Sequence, residues 1–119
     1  MKKSLLVLTI TLATISGFSQ SASELYCSAK SAYEAEEFPD AVAYLDGAIS
    51  LVRKGDFYKL RGDCFQKMQN FASALTDYDF AERRGCADLD LNLNRGICRI
   101  SMGLFEAAEE DLYHHLDAS

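Results

Sequence analysis

The stretch YKLRGDCFQKMQNFASALTDYDFA, Tyr58 to Ala81, decides how this chain folds. It contains no proline and no alternating β-branched run, and it is rich in good helix formers, so it reads as helix. Its small residues Gly62, Ala74 and Ala81 stand where two helices of one hairpin would cross closely. The large Phe71 and Tyr78 would fill the space around that crossing.

Working outward, the same pattern returns on both sides. Phe38, Phe71 and Phe105 recur at separations of 33 and 34 residues, and so do Ala41, Ala74 and Ala108. Arg61 and Arg95, Gly62 and Gly96, Cys64 and Cys98, and Asp77 and Asp111 are each 34 apart. A period near 34 with two helices per unit is the mark of a helical solenoid. The one proline, Pro39, suits the first turn of a helix. Gly55, Gly85 and Gly103 each follow a helical run and are expected to end it in the left-handed conformation. Helices are thus expected at about 22–36, 39–52, 55–69, 72–84, 89–102 and 105–117. Their short joints make neighbours antiparallel.

On these residues the chain resembles the tetratricopeptide-repeat family. Unit two carries the match best, with Tyr58, Arg61-Gly62, Phe65, Phe71, Ala74, Tyr78 and Ala81 at the family's spacing. Unit one follows with Leu25, Ser28-Ala29, Ala32, Phe38, Ala41, Leu45 and Ala48. Unit three reads Asn92, Arg95-Gly96, Arg99, Phe105, Ala108, Leu112 and His115, and departs at its aromatic and its last small residue. The family's proline between units is replaced by Arg53 and Cys86. The resemblance spans nearly all of 22–117 and implies an all-α, right-handed α-solenoid of three helix-turn-helix repeats, at about 22–54, 55–88 and 89–119.

The family position before the glycine is normally apolar, yet Arg61 and Arg95 occupy it. Each has an Asp sixteen residues later, Asp77 and Asp111, on the second helix of its hairpin. Unit one has Ser28 and Tyr44 at these places, so Arg and Asp occur together twice and are missing together once. An unpaired charge at a helix crossing is costly, so the arginines are expected to pair with these aspartates. The alternative is that an arginine hooks a partner.

The start of the chain has another character. Met1-Lys2-Lys3 precedes an uncharged run from Leu5 to Phe18, then Gly17-Phe18-Ser19 before Gln20. This is the form of a secretory signal peptide, with residues 1–19 removed and an exported, periplasmic or secreted domain at 20–119. The run is short of the ~20 residues that span a bilayer, so no membrane span is expected after cleavage. Loss of Lys2 and Lys3 takes the formal charge from −6 to −8, with acidic residues dispersed along the chain. Nucleic acid is excluded as a partner on this reading, because its recognition runs on clustered Lys and Arg.

No arrangement of residues suggests catalysis. Phosphate loops and nucleophile elbows are absent. The neighbours His114 and His115 point ~100° apart on a helix and have no companions to complete a metal site, so no metal and no cofactor is expected. Cys64 and Cys98, equivalent on stacked helices, lie beyond the ~7 Å a disulfide allows and read as small buried residues. Cys86 is expected to be the most exposed thiol, and a Cys27–Cys64 bridge stays open.

What remains is binding. The resemblance implies a concave groove lined by the first helix of each unit. Carried over, its lining is Tyr26, Lys30 and Tyr33 in unit one, Lys59, Asp63, Gln66 and Lys67 in unit two, and Leu93, Ile97 and Ile100 in unit three. Ser23, Glu34, Asp56, Asp90 and Ser101 flank these. The Lys/Arg-with-Asn set by which some family members clamp a peptide's terminal carboxylates is missing. The expected function is a non-catalytic protein- or peptide-binding scaffold of the cell envelope. The rival is a self-associating protein that pairs as a homodimer through its 105–117 helix, where Leu112, Tyr113 and Leu116 lack a covering unit.

Overall fold

The computed structural model describes residues 20–118, so the expected leader at 1–19 lies outside the described residues. Six helices follow one another: α1 Ala22–Glu34, α2 Phe38–Leu51, α3 Gly55–Lys67, α4 Phe71–Arg83, α5 Asp90–Ser101 and α6 Phe105–Ala118. No strand occurs among the described residues. Each helix packs on its chain neighbour, and α3 also touches α1 and α5, so three hairpins stack as an α-solenoid.

Local chemistry sets the helix ends. Ser21 Oγ accepts from Glu24 N at 3.2 Å and caps α1. Pro39 lies within the first turn of α2, where its missing N–H is harmless. Helices α1, α3, α4 and α5 close in the same way. The residue after the cap turns left-handed and the next amide reaches back five residues, as Glu37 N to Ala32 O and Asn70 N to Phe65 O at 2.8 Å. Gly85 and Gly103 supply that turn after α4 and α5, at φ 69° and 78°. After α1 and α3 it falls to Glu36 and Gln69, at φ 60° and 62°.

Gly55 does not do what its sequence context suggested. It opens α3 rather than closing α2, which ends on extended Val52. A Cβ at Gly55 would stand 3.0 Å from Ala81 O and from Cys86 N. Glycine is required there because the backbone at the end of α4, in its own hairpin, passes against it, a reason that no local pattern displays.

Two apolar clusters form the core. One joins Ala29, Ala41, Leu45, Ala48, Phe57 and Cys64 across α1, α2 and α3. The other joins Tyr58, Ala74, Tyr78, Ala81, Leu91 and Cys98 across α3, α4 and α5. The hairpin crossings are tight: a Cβ on Gly62 would fall 2.8 Å from Tyr78 Cε1. Burial thins towards α6. Ala108 and Asp111 are buried, but Phe105, the partner in sequence of half-buried Phe38 and Phe71, is 66% exposed. Phe105 therefore does not fill a crossing as the repeat led us to expect, because nothing in the described residues packs over that side of α6.

Candidate functional site

Two places bear on binding: the face of α1, α3 and α5 on which the expected groove residues lie, and two clefts between successive units. The groove begins with Tyr26, half-buried and stacked on Phe57 at 5.0 Å between ring centroids. Lys30 is exposed, its Nζ 4.8 Å above the Tyr26 ring. Tyr33 meets Phe38 edge-on at 5.5 Å. At the far end, Leu93 is half-buried while Ile97 and Ile100 are exposed. Lys67 is exposed at the end of α3. Neither Lys30 nor Lys67 pairs with a carboxylate among the described residues.

In the middle of the groove the expectation changes. Lys59 and Asp63 do not reach outward; both are buried. Lys59 Nζ binds Asp63 Oδ2 at 2.7 Å and Asp88 Oδ2 at 3.0 Å. Asp63 Oδ1 accepts from Tyr78 Oη at 2.7 Å and from Asn94 Nδ2 at 2.9 Å. Gln66 Oε1 also lies 2.7 Å from Tyr78 Oη, whose single proton serves one acceptor at a time. These charges are a structural floor, tying unit two to unit three, and are not free to meet a ligand. Burial alone would lower the Lys59 ammonium, but Asp63 and Asp88 hold it above its ordinary value. Burial, with Asp63 close by, pushes the Tyr78 phenol well up, so it stays a hydroxyl. Sequence reasoning missed Asn94. The available signal was a polar residue standing where the preceding unit has apolar Leu60.

The arginines sit at the clefts. Arg61 Nε and Nη2 each donate to Asp77 at 2.8 Å, and Nη1 donates to Asp46 at 2.9 Å. Arg95 Nε donates to Asp111 at 3.0 Å and Nη1 to Asp79 at 3.2 Å, while Nη2 reaches Glu82 at 2.5 Å and Asn92 at 3.0 Å. Arg99 Nη1 takes the other oxygen of Asp111. Asp77 and Asp111 are both buried. Burial raises the Asp77 carboxyl, and the two Arg61 bonds act against that rise.

All four thiols are free. Cys27, not Cys86, is the exposed one. Cys86 is half-buried, and burial, with Asp56 and Asp88 beside it, pushes its thiol up to about 11. Burial raises Cys64 to about 12 and Cys98 to about 11. His115 Nδ1 lies 2.9 Å from Leu89 O, and His114 is exposed. No three His, Cys, Asp or Glu side chains gather as around a metal among the described residues. No helix there is long and apolar enough to cross a membrane.

No family model matches the chain, and no curated protein matches it in sequence. Solved structures do match. The Arabidopsis OM64 TPR domain superposes with a TM-score of 0.78 at 24% identity, covering 81% of this chain and 80% of that one. The first TPR of Spaghetti (RPAP3), bound to the HSP90 peptide SRMEEVD, gives 0.78 at 18% identity, with coverage of 83% and 79%. PcrH, in complex with the chaperone binding region of PopB, gives 0.75 at 20% identity, with coverage of 83% and 82%. Six helices in three stacked hairpins, matched over four fifths of the chain, give this protein the tetratricopeptide-repeat fold.

Proposed function

We propose that this chain is an exported, non-catalytic scaffold of the cell envelope that takes an extended segment of a partner polypeptide in the groove along α1, α3 and α5. One observation carries the reading. The groove's buried charges are internally satisfied, while its two exposed lysines, Lys30 and Lys67, pair with no carboxylate among the described residues and Ile97 and Ile100 are exposed. On this reading the segment lies along Lys30, Tyr26 and Tyr33 of α1, Gln66 and Lys67 of α3, and Ile97 and Ile100 of α5. Aromatic and aliphatic anchors beside free cations suit a peptide that mixes apolar and polar side chains. Support comes from the solved relatives of this fold, some of which hold peptides from HSP90 or a region of PopB.

The test is affinity capture from an envelope fraction with the 20–119 domain, with the captured protein identified by mass. Its binding should fall at least about tenfold with Ile97→Asp plus Tyr33→Ala, the loss expected when central anchors are removed. Equal capture by the variant removes the groove from the reading. A second reading has its own observation: Phe105, Tyr113 and Leu116 on α6 are each more than 60% exposed. Apolar residues grouped along one helix favour pairing of two copies through α6. A monomeric solution mass at high concentration eliminates that reading.

A further inference from the structure

The two inter-unit clefts are equivalent places in the repeat, and their difference identifies a ligand. The first, about 430 Å³, lies between units one and two and is lined by Asp46, Ile49, Arg53, Tyr58, Arg61 and Arg84, with Ser50 and Phe80. The second, about 580 Å³, lies one repeat further on. There Asp79 stands for Asp46, Glu82 for Ile49, Cys86 for Arg53, Asn92 for Tyr58, Arg95 for Arg61 and Ala118 for Arg84. In the second cleft the arginine's Nη2 holds two of the cleft's own acceptors, Glu82 and Asn92. Arg95 thereby engages four of its five N–H groups.

The first cleft lacks both acceptors, since Ile49 and Tyr58 replace them. Arg61 engages three N–H groups, and two remain without an acceptor among the described residues. Around that unfilled side stand two more guanidinium groups, Arg53 and Arg84, both exposed and neither paired with a carboxylate among the described residues, Arg84 Nη1 donating only to Arg53 O at 3.5 Å. Arg84 lies 5.4 Å over the Tyr58 ring, Arg61 lies 5.5 Å from the same ring, and Tyr58 stacks on Phe80 at 5.2 Å. An acidic chain has thus assembled three arginines on an aromatic wall, drawn from positions 53, 61 and 84.

We infer that the first cleft is a second binding site, separate from the groove, which receives a carboxylate side chain from an acidic segment of a partner polypeptide. The carboxylate takes the place that Glu82 fills in the second cleft. Planar, forked donors on Arg61 and Arg84 match the two oxygens of a carboxylate, and the Tyr58 ring gives its methylene stem a surface to lie on.

Capped tetraglutamate, added to the 20–119 domain at low salt and followed by NMR, tests this. The Nε–H signals of Arg61, Arg84 and Arg53 and the Tyr58 ring should shift together in a saturable way, and capped tetraglutamine should leave them unmoved. Free glutarate separates the sources: a response to glutarate as strong as that to the peptide overturns the polypeptide assignment. The exposed changes Arg84→Gln and Arg53→Gln, which leave the helices intact, should each weaken binding by about fivefold, the upper range for exposed ion pairs. Ile49→Glu, which supplies the cleft with a resident carboxylate as in the second one, should abolish it. Lys30→Gln, outside the cleft, should leave the shifts of the Arg61, Arg84, Arg53 and Tyr58 signals as they are. Absence of any shift, or unchanged affinity with Arg84→Gln and Arg53→Gln together, overturns the proposal. Neither result touches the groove reading, whose variants lie elsewhere.

Discussion

Units two and three carry the same arginine, glycine and aspartate at the same separation, yet they are pinned differently. In unit two, Arg61 is the one cation paired with Asp77 among the described residues. In unit three, Asp111 is held by both Arg95 and Arg99, and Arg99 stands where unit two has Phe65. The crossing beside the ion pair differs too. Gly62 faces the ring of Tyr78, which is locked by Asp63 and Gln66, whereas Gly96 faces the flexible end of Leu112. The comparison teaches that a repeat preserves the place of a pin while its neighbours decide how much rests on it. Unit two, covered on both sides, is the rigid centre; unit three is held more by charge than by packing.

The largest effect that can break this comparison is Arg61→Ala. It strands a buried carboxylate and should cost about 3 kcal/mol of unfolding free energy. Arg95→Ala leaves Asp111 with Arg99 and returns the more exposed Asp79 and Glu82 to water, so about half that loss is expected. Denaturant melts of both variants decide it, and equal losses would mean that Arg99 gives no cover. Adding Asp77→Ala to Arg61→Ala should cost clearly less than the two single losses together; strict additivity would deny the contact.

Next in size is the glycine pair. Gly62→Ala puts a methyl 2.8 Å from a ring that cannot swing away and 3.2 Å from Ala74 O. Overpacking of about 1–3 kcal/mol should outweigh the ~1 kcal/mol that alanine returns in helix propensity. At Gly96 the nearest atom is Leu112 Cδ2 at 3.2 Å, on a half-buried side chain that can turn aside. Gly96→Ala should therefore be neutral or slightly stabilising by thermal melt. A loss at Gly96 as large as that at Gly62 would show unit three to be as tightly packed as unit two.

The smallest effect concerns the joint between the two units, where Asp88 bridges to Lys59. Burial works to raise the Asp88 carboxyl, but the Asp90 amide and Lys59 together bring it below its ordinary value. A depressed carboxyl contributes stability above its unfolded value, near pH 4, and loses it as pH falls through the lower folded value. Because Asp88 is well exposed, its share should be only about 0.3 kcal/mol. Between pH 5 and 2 the native domain should lose that much more stability than Asp88→Asn. Identical pH slopes would mean that the bridge does not hold the joint in place.

Much of this architecture was legible before any coordinates. The period of 33 to 34, the small residues at the crossings and the Arg–Asp separation of sixteen all sit within one hairpin. Helical geometry turns such separations directly into a shared face, which is why Arg61 with Asp77 and Arg95 with Asp111 could be named from spacing. The groove was legible only in part. The carried-over frame named its lining, but burial withdrew Lys59 and Asp63 from it, through Asn94 arriving from the next unit and Asp88 from the loop that leads to it.

By itself, then, the sequence determined the helices, their pairing into three hairpins and the residues that let each hairpin close. Those depend on side chains a few turns apart, whose relative placement the helix imposes. Only the tertiary structure decided what happens between hairpins: that Lys59 and Asp63 become a floor joined by Asn94, and that Arg53 and Arg84, 31 residues apart, meet around Arg61. The angle at which one unit stacks on the next sets those meetings, and it arises from packing summed over whole helix faces, which no single spacing records.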